Sequence, residues 1–466
     1  MLTYYLNPNK DKPLYEQLYD QLKQSIINQE LKRLEKMPSK RALANHLKVS
    51  LSTIEVAYQQ LLTEGYIYSI EKKGYYVNYD HSQMTALNAS SKHQPLKSLQ
   101  PQKAYMYHFK TNLVDAQLFP LQLWLKASKK LLDEPMDHLI NQSDPQGIRE
   151  LRDEIKSYLK QYRGMDVSSD QIIMGAGSEV LLSLISDLIG HQKIIGVENP
   201  GYHKINHILK NKHQVLPIPL DQDGMMIEHQ DTKILDVIHI TPSHQFPSGI
   251  VMPIQRRVAC LSWANQREGR YIIEDDYDSE FRFVGQPIEA LYVLDTHQKV
   301  IYINSFSKSL GPTMRLSYMV LPPSILKIYR QKMQGYRQTI SNFTQYTLAY
   351  FMKEGIFYKH LNKMKVKYKQ KRDELIKQLK ASTFGSNIDI INADAGLHFI
   401  IKHHTINAHT LSDRAKQAGI EIKTLYQHLQ KPIDIIEDGL VMGYAHIALQ
   451  SLPKHIKRLE RAWDIQ

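Results

Sequence analysis

Val300-Ile301-Tyr302-Ile303-Asn304-Ser305-Phe306-Ser307-Lys308 is an apolar, β-branched run that ends in hydroxyls and a lysine. Four other runs have the same form: Ile172-Ile173-Met174, Ile194-Ile195-Gly196-Val197, Val237-Ile238-His239-Ile240 and Tyr271-Ile272-Ile273. Such runs predict buried strands, and the amphipathic helical stretches between several of them predict an α/β domain with a mostly parallel sheet. The runs lead into Gly175-Ala176-Gly177-Ser178-Glu179, Glu198-Asn199-Pro200-Gly201-Tyr202, Thr241-Pro242-Ser243-His244-Gln245, Glu274-Asp275-Asp276-Tyr277 and the Ser305 to Lys308 stretch. In an open α/β sheet, ligands gather outside the carboxyl ends of the strands. Five polar, aromatic or glycine-rich ends in one domain therefore predict a binding site.

Each end is ambiguous alone. Gly175-Ala176-Gly177-Ser178 precedes an apolar helix, and free N–H groups at a helix start favour an anion; an ordinary glycine turn reads the same. Most lysines are surface groups, but a lysine at a buried strand end has a lowered pKa and is placed to form a Schiff base. Asp275 could cap a helix, or hold a heterocyclic nitrogen protonated, as an electron-sink cofactor requires.

Working outward, residues 13–77 read as a separate unit. Pro13 starts a helix with Leu14, Leu18, Leu22 and Ile26 at helical spacing. Ser39 is placed to cap a short second helix carrying Leu43, Ala44 and Leu47, and Ser50 or Ser52 caps a third with Ile54, Ala57, Tyr58, Leu61 and Leu62 facing inward. Gly65 ends that helix. Tyr66 to Ile70 and Gly74 to Val77 then form a hairpin around Glu71-Lys72-Lys73. Three helices and a basic-tipped hairpin make a winged helix-turn-helix, whose later helix enters a major groove. Its outward positions are Ser50, Leu51, Ser52, Thr53, Glu55 and Gln59, while Lys40, Arg41, Lys72 and Lys73 suit DNA phosphates.

Residues 78–104 are rich in Ser, Gln, His, Asn and Lys without apolar period, as a flexible linker would be. The domain expectation is therefore 1–77 for DNA, 78–104 as linker and 105–466 for the ligand. The chain has 466 residues, enough for two or three domains at a prior of about 150 each. Its single cysteine, Cys260, excludes disulfide scaffolds and thiolate zinc clusters, and no metal site is expected. No apolar run approaches the ~20 residues of a membrane span, and residues 1–12 carry no apolar signal core, so the expected location is the cytoplasm. The net charge of +12 matters where it clusters. Six bases and one acid lie between Leu31 and Lys48, and seven bases with no acid between Lys359 and Arg372.

The stretch Pro38-Ser39-Lys40-Arg41-Ala42-Leu43-Ala44, with Val49 to Ile54, Ala57-Tyr58, Leu61, Glu64-Gly65-Tyr66 and Gly74-Tyr75-Tyr76-Val77, resembles the GntR family of bacterial repressors and activators. Leu51 departs from it, standing where the family usually carries a base. Ser305-Phe306-Ser307-Lys308 with Arg315 is similar to the lysine motif of the fold-type I aminotransferases. Glu274 to Phe281, Thr241 to Gly249, and Asp144-Pro145-Gln146-Gly147 with Leu151-Arg152 narrow the resemblance to the MocR type, a GntR-like domain fused to an aminotransferase-like one. That resemblance implies a Schiff base between Lys308 and pyridoxal 5′-phosphate, with Asp275 on the pyridine nitrogen, Tyr277 on the ring hydroxyl and Tyr202 stacked on the ring. Ser305, Ser307, Arg315, Gly177 and Ser178 would hold the phosphate. It also implies a homodimer whose two DNA-binding domains read two half-sites of a double-stranded operator, with exchange of those domains between subunits as one arrangement. Apart from the resemblance, the Lys359 to Arg372 run reads either as a solvated helix face or as a dimer face that DNA can follow, with Lys363, Lys367 and Lys371 as the bases to test.

The departures bear on function. Phe246 occupies the slot of the asparagine that binds the ring hydroxyl in aminotransferases, and Leu440-Val441-Met442-Gly443-Tyr444 has no arginine for a substrate carboxylate. Where effector-binding members carry arginines, this chain has His203-Lys204 and Tyr426-Gln427-His428. The expectation is a regulator, not an enzyme, that senses pyridoxal phosphate and controls vitamin B6 synthesis genes, as in the PdxR-like branch. The alternatives are a GabR-like sensor of an amine such as γ-aminobutyrate, a regulator of transport or cell-wall genes with a purely structural cofactor, and a working aminotransferase.

Overall fold

A computed structural model describes residues 4–8, 12–80, 105–285, 288–432 and 438–463; most of the expected linker lies outside them. The chain divides into two compact units, Met1–Gln102 and Lys103–Gln466.

In the first, helices α1 (Leu14–Ile27), α2 (Lys40–Leu47) and α3 (Leu51–Thr63) are followed by strands β1 (Ile67–Ile70) and β2 (Gly74–Val77). The Ser39 side chain accepts from the N–H of Ala42, and Ser50, not Ser52, accepts from the N–H of Thr53. Ser50 has the extended backbone a cap needs, whereas Ser52 already lies in the first helical turn. Gly65 has φ 78°, the left-handed conformation that stops α3. The hairpin pairs Ile67 with Val77 and Ile70 with Gly74. Leu18, Leu22, Ile26, Leu43, Ile54, Tyr58 and Leu61 form the core with Ile67 and Val77. Leu62, expected to face inward, is half-buried because it lies at the flank of the α3 apolar stripe.

The second unit is built on an eight-stranded sheet in the order β4-β11-β10-β9-β8-β5-β6-β7. These are β4 (Ile172–Gly175), β5 (Ile194–Asn199), β6 (Gln214–Asp221), β7 (Gly224–Met225), β8 (Val237–Ile240), β9 (Tyr271–Asp276), β10 (Val300–Ser305) and β11 (Ser317–Val320). Strands β10, β9, β8, β5 and β6 run parallel to one another, while β11 is antiparallel to both β10 and β4, and β7 is antiparallel to β6. All five runs singled out above are strands. Strands β6, β7 and β11 are not among those runs, and β6 is the one the sequence argues against, through Pro217 and Pro219. They are tolerated because these residues, two apart, turn their missing donors to one side, and only the two-residue β7 lies beyond.

A smaller antiparallel sheet in the order β12-β13-β16-β15 comprises β12 (Ile388–Ile391), β13 (His398–His403), β15 (Lys423–Thr424) and β16 (Leu440–Gly443). It packs with the helices Ile356–Ala381 and Leu452–Trp463 in one apolar cluster. Strand β3 (Tyr107–His108) pairs with β14 (Ile420–Glu421) beside it.

The helix Ile356–Ala381 carries the basic run, and here an expectation fails. Lys363 and Lys367 are exposed, but Lys371 is buried, its amine 2.7 Å from both Asp115 Oδ2 and the carbonyl of Ala445. Arg372 is buried too, bonded to Asp373 and the carbonyl of Ala393. The helical period places residues 364, 368, 371, 372 and 375 on the core face, so the last two bases of the run cannot follow DNA. Cys260 is a buried free thiol. No helix among the described residues is long and apolar enough to cross a membrane.

Candidate functional site

A cavity of about 300 Å³ opens at the carboxyl ends of β5, β8, β9 and β10. Ser178, Tyr202, Asp275, Tyr277, Ser305, Ser307, Lys308 and Arg315 line it. Eight of the nine expected cofactor residues thus surround one space, and the ninth, Gly177, lies against Arg315. A Cβ on Gly177 would fall 2.0 Å from Arg315 Nη2, and its φ of +100° is unfavourable to other residues.

Strand alternation decides which acid of the Glu274-Asp275-Asp276 run serves the cavity. Asp275 points into it and makes no hydrogen bond among the described residues, with His239 Nε2 at 3.4 Å. That buried nitrogen also lacks a hydrogen-bond partner. Glu274 and Asp276 point the other way. Glu274 accepts from the N–H groups of Leu291 and Tyr292, and burial raises its pKa to about 7. Asp276 accepts from the Tyr302 hydroxyl at 2.6 Å and pairs with the buried Arg163 at 2.9 Å.

Lys308 turns its amine onto the carbonyl of Thr111 at 2.5 Å. Burial lowers its pKa to about 8, against an upward pull from Asp278. The Ser305 and Ser307 hydroxyls are 2.6 Å apart. Arg315 donates to the carbonyl of Ala176 at 3.1 Å and to Glu179 Oε2 at 2.6 Å, and Lys204 reaches the other Glu179 oxygen at 3.2 Å. Burial pulls the Glu179 pKa upward; hydrogen bonds from Arg315, its own backbone N–H and Lys204 outweigh that and hold it at about 2. Tyr202 meets Phe246 edge-on, with ring centroids 5.8 Å apart.

The remaining departures also have places. Lys204 and Gln430 line the cavity. His203 Nε2 lies 2.8 Å from the carbonyl oxygen of Gln427, and His428 is buried with its pKa lowered to about 3 by that burial. The Tyr444 hydroxyl donates to the carbonyl of Gly396. Sequence reasoning missed Glu179, His239, His244, Asp278 and Thr111. All but Thr111 sat inside quoted motifs, though without an assigned role. His244, Asp278 and His398 bring donor atoms within 4.8 Å of one another. His398 Nε2 bonds the carbonyl of Pro247 at 3.0 Å and His244 Nδ1 lies 3.0 Å from Asp278 Oδ2, while the buried His244 Nε2 has no hydrogen-bond partner among the described residues.

In the first unit, Ser50, Leu51, Ser52, Glu55 and Gln59 are exposed at the start and along one side of α3, with Thr53 half-buried. The Ser50 hydroxyl is engaged as the cap and lies 2.9 Å from Ser52 Oγ and 2.7 Å from Thr53 Oγ1. Lys40 pairs with Glu55 at 3.6 Å and lies over the Tyr75 ring at 5.4 Å. Arg41 is exposed and forms no ion pair among the described residues, and Lys72 and Lys73 are exposed at the hairpin tip.

Residues 14–77 match the bacterial regulatory proteins of the gntR family, and residues 110–431 match aminotransferase class I and II. The HTH-type transcriptional regulator YdeL of Bacillus subtilis is 35% identical over 469 residues, covering 100% of both chains. A probable rhizopine catabolism regulatory protein, MocR of Rhizobium meliloti, is 28% identical and covers 98% of this chain and 95% of its own. The chain belongs to the MocR-type GntR regulators. This MocR-type chain is a transcription regulator with an aminotransferase-like domain. It is also 28% identical to the pyridoxine biosynthesis regulator PdxR of Corynebacterium glutamicum, over 85% of this chain and 84% of that one. In fold, the MocR-type regulator is similar to an archaeal alanine:glyoxylate aminotransferase, with a TM-score of 0.67 and 22% identity over 78% of this chain and 91% of that one.

Proposed function

We propose that this regulator senses pyridoxal 5′-phosphate through a Schiff base at Lys308 and controls vitamin B6 synthesis genes. The observation that carries the proposal is an enclosed lysine amine, its pKa lowered to about 8, in the same cavity as the unbonded carboxylate of Asp275. When bound, the cofactor supplies an aldehyde that condenses with an amine and a ring that withdraws electrons. Lys308 offers an amine at the carboxyl end of β10 that loses its proton more easily than an ordinary lysine. Asp275 offers a carboxylate to a protonated ring nitrogen, with His239 behind it. Tyr277 offers a hydroxyl to the ring oxygen, and Tyr202 an aromatic face. Ser305, Ser307 and Arg315 converge with Gly177 and Ser178 at a helix start, a donor set suited to a phosphate. The similarity to PdxR supports the choice of effector and target genes.

The DNA reading places α3 in a major groove, with Ser52, Thr53 and Gln59 toward bases and Lys40, Arg41, Lys72 and Lys73 toward phosphates; Ser50 acts chiefly as the cap. A cytoplasmic homodimer would present two such units to two half-sites. Occupancy acts on transcription by favouring one arrangement of these units over another. A second reading, sensing of an amine, is favoured by Lys204 and Gln430 on the cavity wall, which could meet a carboxylate or amide of an added ligand.

The test is an absorbance titration of purified protein with pyridoxal phosphate, for wild type and Lys308→Ala, repeated with a panel of amines. A visible band that is lost in Lys308→Ala and unmoved by amines supports the first reading. A band shifted by one amine moves the conclusion to the second. Steady ketoacid release would make the protein an enzyme.

A further inference from the structure

We infer that His244, clamped by Asp278, is a positioning residue that leaves the Tyr277 hydroxyl hydrogen free to point into the cavity. The inference rests on the cofactor reading above and adds a residue pair to it. His244 Nδ1 lies 3.1 and 3.0 Å from the two carboxylate oxygens of Asp278 and 3.0 Å from the Tyr277 hydroxyl oxygen. A carboxylate only accepts, so the ring nitrogen facing it must carry the hydrogen. Were Nδ1 bare, two acceptors would face each other at 3.0 Å in a site where both side chains are 1% exposed. With Nδ1 protonated, Tyr277 cannot donate to it and instead accepts a share of that N–H. Its own hydrogen is left for the cavity that Tyr277, Asp275 and Lys308 line.

The surroundings enforce this arrangement. Gly396 (φ +72°) makes room for the pair: a Cβ there would fall 1.9 Å from His244 Cε1 and 2.7 Å from Asp278 Oδ2. Gly249 (φ +74°) does the same on the other edge, 3.3 Å from His244 Nε2. Phe246, edge-on to Tyr277 with ring centroids 6.3 Å apart, brings no hydrogen-bonding side chain, so on this wall the donor is the Tyr277 hydroxyl. Burial raises the Tyr277 pKa well above the ordinary phenol value, so the group stays a neutral donor.

The experiment follows the pH at which the absorbance band of the cofactor-loaded, full-length protein changes, in wild type, Tyr277→Phe, His244→Leu, His244→Asn and the Tyr277→Phe/His244→Leu double variant. A donor to the ring oxygen favours its deprotonated form, so losing it should raise the transition by about one pH unit. His244→Leu should match Tyr277→Phe, because the hydroxyl then turns to the bare Asp278 carboxylate. The double variant should move no further, and His244→Asn, which keeps an N–H for Asp278, should stay near wild type. A wild-type transition in His244→Leu, or additive shifts in the double variant, would overturn the inference. If His244→Leu does not fold, the imidazole nitrogen spectrum of ¹⁵N-histidine-labelled wild type decides, with His244→Asn identifying the signal: a hydrogen on Nδ1 supports the inference and a bare Nδ1 overturns it. Absence of any band in wild type would instead sink the cofactor reading, while the tautomer measurement still tests the Tyr277 arrangement.

Discussion

The amine of Lys308 donates to the backbone carbonyl of Thr111 at 2.5 Å, its single hydrogen bond among the described residues. The contact ties the candidate Schiff-base group to the chain just after β3, 197 positions away in sequence. It also fixes the direction of the amine, because a carbonyl can only accept, so the nitrogen must turn a hydrogen toward it.

The lowered pKa of Lys308, about 8, makes a prediction in time as well as in equilibrium. Only the neutral amine attacks an aldehyde, and with this pKa roughly a tenth of it is neutral at pH 7. The observed rate of cofactor attachment should therefore climb as pH rises through about 8 and level off above it. Stopped-flow absorbance from pH 6.5 to 9.5 reads this directly; a rate still climbing tenfold per unit at pH 9.5 would place the amine at an ordinary lysine value. The sign for stability agrees. An unfolded lysine holds its proton up to about 10.5, the folded one only to about 8, so the unfolded state binds more protons between them. The cofactor-free protein should gain stability across that window.

Glu179 and Arg315 make the second prediction. The ion pair at 2.6 Å occupies the guanidinium that a phosphate would use. Glu179→Gln should strengthen binding of inorganic phosphate to the cofactor-free protein about two- to fivefold, the range expected for releasing a partly exposed pair. Because Glu179 titrates at about 2, below an ordinary glutamate, the pair is complete above roughly pH 4.5 and is lost only as pH falls through about 2. The gain should accordingly be the same at pH 6 and pH 8. Isothermal titration checks it, and weaker binding by the variant would mean that Glu179 orients Arg315 for the anion.

These cases separate what was legible from what was not. The strands of the large sheet were readable because each is a short apolar run followed by a sharp change of chemistry, as with Ile303 before Ser305 and Lys308. The choice of Asp275 over its acidic neighbours followed a known motif, and alternation along β9 supplies its physical cause. The prolines of β6 hid a strand because proline's missing donor matters only where a full neighbour runs on that side. Lys371 was misread because charge counting ignores which face of a helix is buried. Thr111 left no signal at all, since it acts through its carbonyl, which every residue has.

In the DNA-binding unit, Lys40 and Arg41 are adjacent but not equivalent. Lys40 is already paired with Glu55 and lies over Tyr75, whereas Arg41 projects without an ion pair among the described residues. Arg41→Ala should weaken binding to any duplex about equally and lower the slope of log affinity against log salt by about 1. Lys40→Ala should change that slope less, because part of its charge is already neutralised. Fluorescence anisotropy across a salt series measures both, and equal slopes for the two variants would discard the distinction.

The basic helix supplies the last prediction, which splits one charge run into two kinds of lysine. Lys371 is enclosed between Asp115, the Ala445 carbonyl and the Tyr368 ring. Burial lowers its pKa while Asp115 opposes the shift, and the pair must desolvate together. Lys371→Ala leaves Asp115 without its cation and should cost about 3–5 kcal/mol of stability. Lys363→Glu and Lys367→Glu lie on the exposed face and should each stay within about 0.5 kcal/mol. Thermal and urea unfolding separate these outcomes, and a neutral Lys371→Ala would show that the buried pair is dispensable. A test of whether DNA follows this helix must therefore reverse Lys363 and Lys367 while leaving Lys371 in place. Any loss of affinity then reads the surface field, and an unchanged salt slope removes the helix from the DNA path.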